Sequence, residues 1–249
     1  MSGRPVTIRT LDLGADKADR TGLALRDEPN PALGLRGVRL SLARAGLLET
    51  QLRAMLRASG YGPLRILLPM ISSREEVRTV RAEMMRIARD LRSEGYEIAD
   101  YVALGAMIEV PAAAISLSTF IGGVDFLSIG TNDLIQYLLA ADRDNEALGD
   151  LYTALHPAVL RLLRDVIRLA AARNTPVAVC GELAGDSRFA PLLLALGLEQ
   201  FSLHPTSLLE IRRTIRNCDL DRLRANAPAL MRARDRGEIE RWLEAQRGH

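Results

Sequence analysis

The sequence predicts an α/β protein, a (β/α)8 TIM-type barrel that lacks its first β/α unit and carries a helical C-terminal tail. Three observations lead there. Short apolar runs recur between longer amphipathic segments, as buried parallel strands alternate with the helices that cover them. Several of those runs stop abruptly at polar or charged residues, and in a parallel barrel the carboxyl ends of the strands carry the site. The 249 residues, 48% of them apolar, suffice for the core of one such barrel, whose usual length is about 250 residues.

Residues 6–11 form the first run, almost at the start of the chain. Leu33-Gly34-Leu35-Arg36-Gly37 reads either as a further short strand or as the turn before a helix holding residues 38–42. Counting it gives seven strands, one fewer than a closed barrel needs, so a β/α unit is expected to be missing from the N-terminus. Residues 65–70 are the next run. Ser73-Arg74-Glu75-Glu76 is a capping box opening a helix to about residue 94, because the serine hydroxyl and the glutamate three positions on satisfy each other's backbone N–H groups. Runs at 104–110 and 125–130 follow. His156-Pro157 then places a proline at a helix start, where its missing N–H costs nothing, ahead of Val159, Leu160, Leu162 and Leu163. Residues 176–180 and 200–203 are the last strands. From roughly 207 to 247 the chain reads as helical and charged, with Leu208, Leu209, Ile211, Ile215 and Trp242 among the apolar residues that would pack on the barrel. The barrel is expected over 1–217 and the tail over 218–249.

A net charge of +2, with arginines dispersed among acidic residues, argues against a nucleic-acid surface. No apolar run reaches eighteen residues and Met1-Ser2-Gly3-Arg4-Pro5 offers no apolar signal core, so neither a membrane span nor a signal peptide is expected and the chain reads as cytoplasmic. Cys180 and Cys218 have neither metal spacing nor a disulfide framework, in keeping with a reducing compartment. Lys17 is the single lysine among 33 basic residues, which suggests a need for a compact ammonium there.

The chemistry concentrates in Asp125-Phe126-Leu127-Ser128-Ile129-Gly130-Thr131-Asn132-Asp133-Leu134, where an apolar run ends at an amide and a carboxylate, with Arg143 ten residues beyond Asp133. Glu109 ends the preceding strand. Two carboxylates on adjacent strand ends suit Mg²⁺, a hard ion usually held by one or two protein carboxylates plus substrate oxygens and water. An equal reading is that Glu109 pairs with an arginine and Asp133 caps the following helix. Arg9, Arg36 and Arg143 lie at or just past strand ends, where guanidinium groups bind phosphate or carboxylate; taken singly, a surface ion pair is the better reading of each. Cys180 ends its strand, as an inert buried thiol or as a proton donor. His156 and His204 lack metal spacing and read as structural or capping residues.

As a set, Arg9-Thr10-Leu11-Asp12-Leu13-Gly14-Ala15-Asp16-Lys17, Asn30-Pro31-Ala32-Leu33-Gly34-Leu35-Arg36, Leu68-Pro69-Met70, Met107-Ile108-Glu109-Val110-Pro111, Gly130-Thr131-Asn132-Asp133-Leu134, Asp142-Arg143-Asp144-Asn145 and Cys180-Gly181-Glu182-Leu183-Ala184-Gly185-Asp186 resemble the phosphoenolpyruvate-binding barrel of enzyme I, the phosphoenolpyruvate-protein phosphotransferase of the bacterial sugar phosphotransferase system. The resemblance implies a magnesium-dependent transferase, with Glu109 and Asp133 as Mg²⁺ ligands. Asp133 also stands in the substrate site that it implies, where Arg9, Arg36, Arg143 and Asn132 contact phosphoenolpyruvate, and Cys180 is the acid that protonates the enolate. A free thiol titrates near pH 8.5, so such an acid is largely protonated at neutral pH.

The family's barrel opens with a strand whose arginine is a further substrate contact, and its phosphoryl group passes to a histidine on a swivelling N-terminal domain. Neither stands in this chain, so it is expected to act with a phosphohistidine domain in cis or in trans, then a small phosphocarrier protein, and as a homodimer. Two other classes stay open: a metal-dependent pyruvate-enolate lyase or aldolase, and a non-catalytic sensing or dimerising remnant.

Overall fold

The structure, a computed structural model, describes residues 3–13 and 28–247; Lys17 and His249 lie outside the described residues. The chain divides into two compact units, one running to Met107 and taking in Gly122–Phe126, the other holding Ile108–Ile121 and the chain from Leu127.

In the first unit β1 (Val6–Arg9), β2 (Leu64–Leu68) and β3 (Ala103–Ile108) follow chain order and pair in parallel, Val6 opposite Leu64 and Leu68 opposite Ala106. β1 stops earlier than the apolar run suggests. Thr10 still donates to the Leu67 carbonyl, but the Leu11 N–H turns to the Gln51 side chain at 2.6 Å. Helices α1 (Gly37–Ala43), α2 (Ala45–Ala58) and α3 (Arg74–Ser93) complete the unit. Leu48, Leu52, Met55 and Leu56 of α2 and Val77, Val80, Met84, Ile87 and Leu91 of α3 recur at three- and four-residue spacing and are buried, and these two helices pack on each other. The capping box forms as expected: the Ser73 hydroxyl accepts the Glu76 N–H at 3.4 Å, and the Glu76 carboxylate accepts the Ser73 N–H at 2.9 Å.

Residues 33–37 are not a strand. Pro31–Leu33 is a short 3-10 turn, where proline withholds the N–H that a ladder needs, and Gly37 opens α1. Its φ of +58° suits glycine, and a Cβ there would come within 2.7 Å of the Met70 side chain. The described residues thus hold six strands, not the seven that the sequence predicts. Asp125, before β4, accepts hydrogen bonds from the Leu104 N–H (2.8 Å), Arg81 (3.1 Å) and the Tyr101 hydroxyl. Burial pushes its carboxyl up, but these donors outweigh burial and hold it below the ordinary carboxylate range, while burial and the same carboxylate raise Tyr101.

In the second unit β4 (Phe126–Gly130), β5 (Val177–Cys180) and β6 (Gln200–Phe201) are again parallel and in chain order, with Gly130 opposite Cys180. Helices α4 (Pro111–Ile115), α5 (Thr131–Leu139), α6 (Pro157–Ala172), α7 (Glu182–Gly185) and α8 (Ala190–Ala195) connect and cover them. His156 caps α6, its ring nitrogen accepting the Ala158 N–H at 3.1 Å, and His204 caps the turn after it through Thr206. Past β6 come α9 (Leu208–Arg216), α10 (Leu220–Arg232) and α11 (Arg236–Arg247), of which α10 packs on α8 and α6 and α11 on α10 and α8. The Trp242 indole donates to the Asn226 carbonyl at 3.1 Å. No helix among the described residues is long and apolar enough to cross a membrane.

Candidate active site

Within the second unit the expected polar residues gather where β4 and β5 end. Glu109, one residue past β3, is 2% exposed, and Asp133, in the first turn of α5, is 8% exposed. Each offers a carboxylate oxygen within 4.8 Å of the other's. The N-cap of α5 is Gly130, with no side-chain cap, so Asp133 does not cap the helix; it is the third helical residue, toward the positive end of the helix dipole. Arg143 reaches Asp133 at 3.8 Å, and its backbone N–H is held by the Gln136 side chain at 3.2 Å.

Thr131 and Asn132, the first residues of α5, tie the end of β4 to the junction between β5 and α7. The Thr131 hydroxyl donates to the Cys180 carbonyl at 2.7 Å, and Asn132 Oδ1 accepts the Glu182 N–H at 3.1 Å. Gly181 lies between, at φ +93°; a Cβ there would stand 2.6 Å from Thr131 Oγ1 and 2.8 Å from Asn132 Oδ1, so the close approach requires glycine. The Tyr152 hydroxyl donates to the Asn132 carbonyl at 3.1 Å. Burial first, then the charge of Glu182, pushes the Tyr152 hydroxyl up to about 12, against an opposing pull from Arg143, so it stays a donor at any working pH.

Cys180 is in no disulfide, is half-buried and lines a cleft of about 820 Å³ together with Asn132 and Glu182. Its sulfur accepts the Ser128 hydroxyl and donates to the Ile129 carbonyl, both at 3.3 Å.

In the first unit Arg9 and Arg36 share one buried carboxylate. Asp12, its side chain 3% exposed, takes Arg36 in a bidentate pair at 3.0 and 2.9 Å and Arg9 at 3.2 Å. The two arginines are therefore oriented by a common partner.

Sequence reasoning named Glu109, Asp133, Asn132, Arg143, Cys180, Arg9 and Arg36, but gave no role to Ser128, Tyr152 or Asp12. Ser128 had a signal, as the single hydroxyl in the run at 125–130. Asp12 had a weaker one, three residues from Arg9. Tyr152 had none, since its contact with Asn132 spans twenty residues.

The chain matches a family described as PEP-utilising enzyme, PEP-binding domain, over residues 1–220. It is 47% identical over 236 residues to the phosphoenolpyruvate-protein phosphotransferase of Cupriavidus necator, covering 94% of this chain and 40% of that protein. With the enzyme of the same name from Staphylococcus carnosus it shares 46% identity over 217 residues, 87% of this chain and 38% of that one. The chain thus spans about two-fifths of the length of these relatives. Among solved structures, a citrate lyase from Burkholderia xenovorans superposes with a TM-score of 0.52 at 20% identity, over 80% of this chain and 67% of that one. That likeness is one of fold, the α/β, TIM-barrel-like class.

Proposed function

The chain belongs to the PEP-utilising enzymes through their PEP-binding domain, and on that premise we propose that it binds phosphoenolpyruvate, passes the phosphoryl group to a histidine on a separate domain and releases pyruvate. The observation that carries this reading is the gathering of Glu109, Asn132, Asp133, Arg143 and Cys180 around two strand ends that Thr131 and Asn132 stitch together.

Glu109 and Asp133 would hold Mg²⁺. Two carboxylates taken out of water and facing each other repel, and an oxygen-only donor pair of this kind suits a hard divalent ion. Bound there, the ion would supply charge neutralisation to phosphoryl and carboxylate oxygens. Arg9 and Arg36, pre-oriented by Asp12, and Arg143 with Asn132 bind the anionic substrate and keep the phosphoryl group in line with its acceptor, since such transfers depend mainly on positioning and electrostatics. When the phosphorus–oxygen bond breaks, its electron pair stays on the enolate oxygen. Cys180 then gives its S–H proton to the methylene carbon, which yields pyruvate and leaves a thiolate.

The partners on this reading are a phosphohistidine domain in cis or in trans and, after it, a small phosphocarrier protein serving sugar uptake or nitrogen-linked regulation. We infer that the reaction runs in the cytoplasm, which suits two cysteines that form no disulfide, and expect a homodimer. A lyase or aldolase reaction is not favoured: the likeness to a citrate lyase is of fold at 20% identity, whereas the phosphotransferases are 46–47% identical. The remnant reading is not favoured either, because relatives 46–47% identical over most of this chain are named phosphoenolpyruvate-protein phosphotransferases.

Calorimetric titration with phosphoenolpyruvate, with and without Mg²⁺, tests the reading. Magnesium-dependent binding is expected; a folded chain that binds nothing in either buffer overturns it.

A further inference from the structure

Ser128 is the one polar side chain on β4, and only 7% of it is exposed. A hydroxyl buried in an apolar strand costs free energy unless it is hydrogen-bonded. Its partner here is the Cys180 sulfur at 3.3 Å, and a neutral thiol is a weak acceptor. As a contribution to stability this is a poor use of a buried hydroxyl. The contact changes character when the sulfur loses its proton, because a hydrogen bond to an ionised acceptor is roughly twice as strong as one between neutral groups. The register makes the contact possible: with Gly130 opposite Cys180 and Ser128 opposite Ala178, Ser128 lies on the diagonal from Cys180, on the same face of the pleat. The second bond of the sulfur, from S–H to the Ile129 carbonyl, fixes where the proton sits beforehand.

We propose that Ser128 is a positioning residue for Cys180, orienting its sulfur and stabilising the thiolate left when its proton departs. This rests on Cys180 as the proton donor of the proposed reaction. In that step the S–H bond breaks with its electron pair remaining on sulfur, a C–H bond forms at the methylene carbon of the enolate, and Ser128 keeps its own proton while donating a hydrogen bond. Water returns a proton to the thiolate afterwards.

The test needs no substrate. In the full chain carrying Cys218→Ser, Cys180 is the single thiol, and its second-order rate of alkylation by iodoacetamide is measured at pH 7.5 for the parent, Ser128→Ala, Ser128→Thr and Ser128→Val. Loss of the hydroxyl is expected to slow alkylation about threefold, a tenfold drop in thiolate partly offset by the greater nucleophilicity of a more basic thiolate. Threonine and valine have nearly the same shape, so threonine should react about threefold faster than valine whatever the added methyl does to packing. A hydroxyl that merely fills space predicts the opposite sign, since its removal would loosen the thiol and leave the rate unchanged or raised. Either of those results, or equal rates for threonine and valine, overturns the proposal. Failure of the chain to bind phosphoenolpyruvate would bear on the proposed function alone and leave the alkylation result standing.

Discussion

Asn132 Oδ1 accepts the backbone N–H of Glu182 at 3.1 Å, fifty residues away in sequence, and Gly181 is the residue that lets the two approach. Gly181→Ala is therefore expected to destabilise the chain by about 2–4 kcal/mol, from the left-handed backbone and the collision with Thr131 and Asn132 together. Gly185→Ala is the control, since its Cβ would meet nothing nearer than 3.7 Å. Urea midpoints of the two variants decide it; equal midpoints would remove the steric argument.

Asp133→Asn and Glu109→Gln should each abolish the rise in melting temperature that Mg²⁺ or Mn²⁺ gives the parent, because one remaining carboxylate holds such ions poorly. A rise of the same size in parent and variants would place any bound ion elsewhere.

Cys180→Ala should stop pyruvate release, in a reaction completed with a phosphohistidine domain, while leaving phosphoenolpyruvate affinity within about twofold, since proton transfer acts on the transition state and not on ground-state binding. Unchanged pyruvate release would take Cys180 out of the mechanism.

Tyr152→Phe should cost about 1 kcal/mol at neutral pH through the lost bond to the Asn132 carbonyl. The folded Tyr152 titrates near 12 and the unfolded one near 10. The folded state therefore keeps its proton longer, and the stability that Tyr152 contributes is complete below about pH 10 and lost as pH rises toward 12. The gap between parent and variant, measured by denaturation across that window, should shrink.

Asp125 makes the opposite prediction at the acid end. Its folded carboxyl lies below the ordinary 3.8, so its contribution is present above that pH and lost as pH falls through the folded value. Asp125→Asn should cost on the order of 1 kcal/mol at pH 7, discounted for a carboxylate that is partly exposed. Acid titrations of stability for the two proteins should converge below about pH 3.8; parallel curves would mean that Asp125 is not the group responsible.

The strands were legible because apolar runs bounded by polar residues have one cheap solution in a parallel α/β protein. Their ends were less so, since a run continues apolar after its ladder stops: Leu11 donates to a side chain, and Val110 already precedes the proline that starts α4. Residues 33–37 allowed a strand until the proline at 31 and the glycine at 37 settled the backbone. The site was legible as residue types at strand ends. The contacts that hold it were not, because Ser128 and Cys180 meet only through the register of two strands 52 residues apart, and Tyr152 reaches Asn132 from a loop with no periodic signal.

Because Thr131 grips the Cys180 carbonyl while Asn132 grips the amide of Glu182, the start of α5 and the β5–α7 junction are heritable only as a matched set. A chimera that takes the stretch after β5 from a distant relative must bring the three residues after β4 with it, and a crossover placed between them would join halves whose hydrogen bonds have no counterpart.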